Sequence, residues 1–374
     1  MFIGKKEKKV EFIELVYDLV FVFIIGRNNS LLHVVKDGVV DWRMFISYVL
    51  VTLAIIQIWN FSNFYINRYG NNRVRDYIFL FINMYLLYFM ADGTKANWHS
   101  DFNQYQVAWG LILLNIAIQY IIEYRHHLDA PWELTQIKRT IAILSIEAIM
   151  IFAFIPVYHA TGFLGAPIAI AFGIIATLIS SNINNLVVVD FAHLTERAML
   201  YVVLTFGEMI IAIAGYFTGK INATTIYFSI MGFLVVVGMF LSYGKVYNEI
   251  IDKRISTNGT GYMMIHVILI FALNNISVAL EFMREPEVNL LFKTLFLTGS
   301  IILYYLFLFL TERYAKERLK PTKSFLAIIT LMSVGFIVLM VVFMNMMYVN
   351  IAITVAYVFG IYLFLRRFAK CIND

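Results

Sequence analysis

The chain has 374 residues, of which 61% are hydrophobic and only 14% charged, with a formal net charge of +5 at pH 7. Soluble domains carry about 25% charged residues, so this composition excludes an ordinary water-soluble fold and predicts an all-α, polytopic membrane bundle. The positive excess sits mostly in short loops between apolar runs, which makes it a topology signal and not a nucleic-acid surface.

Twelve apolar spans follow along the chain, near residues 12–32, 44–66, 76–91, 102–123, 139–158, 163–181, 198–217, 224–246, 262–282, 290–311, 324–343 and 348–365. Most approach the roughly 20 residues that cross about 30 Å of hydrocarbon. The last two come from one apolar run too long for a single crossing, and the break is placed around Asn345. With the N-terminus inside, 22 of the 29 Lys and Arg residues fall in inner segments, among them Lys5, Lys6, Lys8, Lys9, Arg197 and the 313–323 cluster. Six fall in outer loops, namely Lys36, Arg43, Lys95, Lys220, Arg284 and Lys293. That split puts both termini in the cytoplasm. The first span carries acidic residues and no small-residue cleavage site, so it is expected to remain as a span. The lone cysteine, Cys371, allows no intramolecular disulfide.

Twelve spans divide into two six-helix halves of equal orientation, 1–190 and 191–374, together one membrane domain. Asp18 and Glu208 each precede a branched aliphatic run that ends in glycine, Gly26 and Gly215. This similarity suggests a parallel internal repeat, one of the layouts transporters use.

Charged residues within the spans are the candidate site. Residues 11–27 read EFIELVYDLVFVFIIGR, and Glu14 and Asp18, four apart, share one helix face. A charge deep in a span costs at least about 2.5 kcal/mol on insertion scales, so such a group should face protein, water or an ion. Residues 190–208 read DFAHLTERAMLYVVLTFGE. Asp190, His193 and Arg197 fall on one face, with Glu196 one position off it. Glu208 lies about three turns, roughly 16 Å, beyond Arg197, so the two cannot touch. Arg197 therefore needs Asp190, Glu196 or an acid on another helix. Glu147 and Glu281 are further buried candidates, and His266, Asn274 and Asn275 can hydrogen-bond across the bundle. The plainer readings are headgroup-level anchoring for Glu14, a salt-bridged helix start for 190–197, and a structural hydrogen bond for Glu208. No metal-ligand spacing, Gly-rich phosphate loop or nucleophile elbow is present, so neither a cofactor nor a catalytic centre is expected.

Three stretches carry a resemblance. IELVYDLVFVFI is similar to a motif like ELFFDLVFVFA, HLTERAMLYVVLTFGE to HFAERHGLFVIIALGE, and HVILIFALNNISVALE more loosely to HLPLLLGIVLLALGLE. All three belong to the bacterial low temperature requirement A family, which the chain resembles over nearly its whole length. The resemblance implies a multipass protein of the bacterial cell membrane, in a family named from a cold-growth phenotype whose biochemical activity is poorly defined. Its signature residues would be Glu14, Asp18, His193, Glu196, Arg197, Gly207, Glu208, His266 and Glu281. The chain departs from the pattern at Tyr17, Ala198, Met199, Asn274 and Asn275. A fainter resemblance, Val16, Tyr17 and Asp18 followed by LVFVFI, is to potassium channels of the transmembrane protein 175 type.

The leading functional expectation is a secondary transporter in the lipid bilayer, coupled to a proton or small cation and carrying an unknown small solute. A cation channel and a non-transporting membrane protein stay open as alternatives, as does a homodimer. A lipid-acting enzyme would have only the Asp190, His193 and Glu196 group to use.

Overall fold

In hydrocarbon every backbone N–H and C=O must be satisfied within the protein, so long apolar runs of this kind form helices. The structure, a computed structural model, describes residues 8–92, 98–183, 189–217 and 221–373. Lys5, Lys6, Lys95 and Lys220 lie outside the described residues. Among the described residues there are twelve α-helices: α1 Phe12–Asn28, α2 Trp42–Tyr69, α3 Val74–Asp92, α4 Trp98–His126, α5 Pro131–Thr161, α6 Ala166–Ile183, α7 Phe191–Ala214, α8 Ala223–Lys245, α9 Thr260–Phe282, α10 Leu290–Leu310, α11 Lys323–Val342 and α12 Met347–Asn373. Eleven candidate spans are long and apolar enough to cross a membrane, and α6 is a shorter apolar helix over Ala166–Ser180. The chain is a multipass membrane protein.

Two helices begin well before the position that hydropathy suggests. α5 starts at Pro131, not 139, with proline at the position where its missing N–H is least costly. α7 starts at Phe191, not 198. Asp190 precedes it and its Oδ1 accepts the His193 N–H at 3.1 Å, as a capping side chain does. Arg197 is thereby moved from a cytoplasmic loop into the candidate span Phe191–Phe217. The α11–α12 break falls between Val342 and Met347, around Asn345 as expected.

The chain divides into two compact units. The first comprises Met1–His33, Trp42–Tyr201 and Arg254–Val267. Within it α2 packs on α1, α4 and α6, α3 on α1 and α4, and α5 on α4 and α6. Its core holds fully buried Trp59, Trp109, Tyr17, Tyr105 and Tyr120.

The second unit comprises Val34–Asp41, Val202–Lys253 and Ile268–Asp374. In it α8 packs on α12, and α11 on α10 and α12. On α11, Leu331, Val338 and Val342 are exposed, as a lipid-facing helix requires. A short ribbon, β1 Val35–Lys36 and β2 Val39–Val40, turns through Asp37 (φ 52°) and Gly38 (φ 81°). Two successive positive φ values are those of the tight turn that matches strand twist. The Gly38 carbonyl accepts the Asn289 N–H at 2.7 Å, and a Cβ at Gly38 would sit 3.2 Å from Asn289 Cβ. The loops at Lys36 and Asn289 therefore share one side. Reporter fusions at Lys36, Lys95, Lys220 and Asn289 should all score outside the cell. Inside readings at two or more would overturn the topology.

Candidate functional site

The helical period carries Glu14 and Asp18 to one face of α1, and the capped start of α7 carries His193 and Arg197 to another buried face. The first unit brings these faces together. Asp18 and Arg197 are 0% exposed, and Glu14 and His193 are 1% exposed. Arg197 Nε donates to Asp18 Oδ2 at 2.9 Å and Nη2 to Asp18 Oδ1 at 2.5 Å, a two-pronged grip. Arg197 Nη1 donates to Glu14 Oε2 at 2.6 Å. Trp59 of α2 adds an indole N–H to Asp18 Oδ1 at 2.8 Å. One guanidinium thus bridges two carboxylates that would otherwise repel each other in a low-dielectric interior.

The network continues toward the N-terminal segment. Asn67 Oδ1 accepts the Asp190 N–H at 3.0 Å, so its amide nitrogen is the donor to Asp190 O at 2.8 Å and to His193 Nδ1 at 3.1 Å. That assignment makes His193 Nδ1 an acceptor, and Nε2 donates to Glu14 Oε2 at 3.1 Å. Lys8 Nζ donates to the carbonyls of Ile66 and Gly70, at 2.5 and 2.9 Å, and lies 3.9 Å from Glu14 Oε1. Burial holds the Lys8 ammonium below the ordinary lysine value, with Glu14 pulling the other way. Two carboxylates, Glu14 and Asp18, thus face two cationic side chains, Arg197 and Lys8. Glu14 Oε1 is buried and has no hydrogen-bond partner. Glu14 also lines a cavity of about 10 Å³ shared with Tyr65, Asp76 and Gln119. That is close to the roughly 10–15 Å³ one water needs.

A second polar chain starts at Tyr17 on the same helix. Its hydroxyl meets Ser62 Oγ at 2.8 Å and accepts from Asn83 Nδ2 at 3.2 Å, and Asn83 Oδ1 accepts from Asn115 at 2.8 Å. Four helices are joined through this chain. Tyr17→Phe leaves the Asn83 donor and the Ser62 hydroxyl without that partner. It should lower stability by about 1–3 kcal/mol in thermal unfolding; an unchanged unfolding temperature would contradict the chain.

The other candidates lie as follows. Glu147 of α5 is fully buried, accepts from Gln57 Nε2 at 3.2 Å, and keeps Oε1 without a partner. Gly173 of α6 makes room for it, since a Cβ there would fall 2.2 Å from Glu147 Oε2. Asp190 joins the network, binding the Lys8 N–H through Oδ2 at 2.9 Å. Glu196 is only half-buried and makes no ion pair among the described residues. His266, also in the first unit, donates from Nδ1 to Tyr262 O at 2.9 Å and stacks near that ring. In the second unit, Glu208 and Glu281 are half-buried. Asn274 bonds back to Ile270 O of its own helix at 2.8 Å, and Asn275 Oδ1 has no partner. At Asp18, Arg197 and Trp59 occupy both oxygens. Among the described residues no three or more His, Cys, Asp or Glu are grouped to hold a metal.

Lys8, Gln57, Trp59 and Asn67 are participants that the motifs did not single out. A signal existed for Gln57 and Asn67: α2 carries Gln57, Asn60, Asn63 and Asn67 within one span. Such a run of amides in a membrane helix needs partners on neighbouring helices.

A family model, Bacterial low temperature requirement A protein (LtrA), matches residues 9–358. No curated protein and no solved structure matches the chain.

Proposed function

The chain belongs to the bacterial low temperature requirement A family, and we propose that it is a secondary transporter of the bacterial cell membrane, with its coupling site at Glu14, Asp18 and Arg197. The observation that carries this reading is Glu14 Oε1, a buried carboxylate oxygen with no hydrogen-bond partner, on a residue that lines a water-sized cavity. A carboxylate inside a span is costly unless balanced, and here both oxygens of Asp18 accept hydrogen bonds whereas Glu14 Oε1 has only the Lys8 ammonium, 3.9 Å away. Glu14 is therefore the position where a proton or small cation binds.

Coupling follows from charge. A proton on Glu14 removes half of the negative charge that faces Arg197 and Lys8. The guanidinium then stays with Asp18, and the grip of α1 on His193 weakens. A ligand shifts a conformational equilibrium only by its differential affinity for the two states, and this network supplies such a difference. A small cation at Glu14 Oε1 would act the same way by displacing Lys8. Glu147, a fully buried carboxyl whose Oε1 has no hydrogen-bond partner, is a further place for a proton.

The reading is tested in liposomes that contain the purified protein, with imposed proton, sodium and potassium gradients and a panel of small solutes. Saturable uptake that follows one gradient supports a carrier. Current that grows with voltage without saturation points to a channel. Neither under any gradient points to a non-transporting membrane protein.

A further inference from the structure

Helices α2, α4, α5 and α6 and the segment that opens α9, all within the first unit, line a partly open cavity of about 40 Å³ that is separate from the ion network. A site needs roughly 10–15 Å³ per water-sized occupant, so this one accommodates a few water-sized groups or one small ion. Arg68 lines it and stands over the Phe64 ring, 5.4 Å from its centroid.

The hydrogen bonding around the cavity is unbalanced. Arg68 Nε is buried and has no hydrogen-bond partner, and among the described residues no carboxylate lies within salt-bridge distance of its guanidinium. Arg75 and Arg197 are both paired, Arg75 with Glu123 at 2.5 Å. The Thr177 hydroxyl on the cavity wall is also buried and unpartnered. The neighbouring hydroxyls are already used: Thr140 donates to Gln136 O at 3.0 Å and Ser180 to Gln136 Oε1 at 3.5 Å. A buried N–H left unmet costs free energy that an acceptor would recover. A guanidinium with no carboxylate makes a negatively charged acceptor the favoured one.

We propose that this cavity binds a small monovalent anion, held by the Arg68 guanidinium and the Thr177 hydroxyl. The site does not depend on the transport reading, because its occupancy is an equilibrium property that needs no gradient.

The test uses the full chain purified in detergent, with chloride as the probe and gluconate keeping ionic strength constant. The readout is the chloride NMR linewidth. The wild type should show saturable excess broadening. Arg68→Gln should weaken the affinity roughly tenfold or more, Thr177→Val several-fold, and Arg125→Gln, at an exposed arginine, not at all. No saturable broadening in the wild type, or Arg68→Gln binding as tightly as the wild type, would overturn the site. Should Arg68→Gln fail to fold, Thr177→Val decides, and an unchanged affinity there overturns it equally.

Discussion

Arg197→Met is expected to destabilise the protein by about 3–5 kcal/mol, the cost of leaving a buried charge without its partner. The substitution fills a similar volume, so packing loss is a minor part of that figure. The main part is electrostatic: Glu14 and Asp18 stay buried and lose their three guanidinium bonds. Neutralising the acids as well should restore most of the loss, because a buried ion cluster replaced in full is often close to neutral. The triple variant Arg197→Met, Glu14→Gln, Asp18→Asn should therefore unfold nearer to the wild type than to the single variant. Thermal and denaturant unfolding in detergent measure both. A loss below about 1 kcal/mol for Arg197→Met would mean a wet, screened pair and would contradict the buried network.

Glu14→Gln should fold normally and lose gradient-driven flux by at least tenfold, while downhill exchange of solute persists. An amide keeps the size of the side chain, and its oxygen can still accept from Arg197 or His193, but it no longer titrates. The helical spacing alone suggests the same outcome for Asp18→Asn. The geometry separates the two. Asp18 accepts through both oxygens, so an asparagine would turn an NH₂ toward the donors Arg197 Nε, Nη2 or Trp59 Nε1. That change should cost about 2–3 kcal/mol. Parallel unfolding and uptake assays on the two variants distinguish the roles. A Glu14→Gln protein that still follows the gradient would move the coupling group elsewhere, with Glu147 the next position to test.

The fold and half of each contact were legible in the chain. Four-residue spacing placed Glu14 with Asp18 and His193 with Arg197, because helical period is local. Which helix faces which is not local. Arg197 needed an acid on another helix, but only the packing of the first unit identifies that acid as the pair on α1. Hydropathy also misplaced Arg197 itself. A charged stretch reads as a loop, so hydropathy begins the seventh span at 198, yet the helix starts at Phe191 because its charges are neutralised inside the protein. Lys8 was hidden for the opposite reason: beside other lysines it counts as a topology signal, and its hold on two α2 carbonyls leaves no trace in sequence. Glu208 was conspicuous as a lone acid in an apolar run, but a conspicuous charge does not reveal its surroundings, and the structure leaves it half-buried.

The central claim is that Glu14 exchanges a proton or small cation as solute moves. The most direct measurement loads liposomes with a pH-sensitive or sodium-sensitive dye and adds solute outside with no ion gradient imposed. The wild type should move the coupling ion in step with a saturable solute flux, and Glu14→Gln should take up solute with no dye response. Solute uptake with no ion movement in the wild type, or an equal dye response in both proteins, would contradict the account.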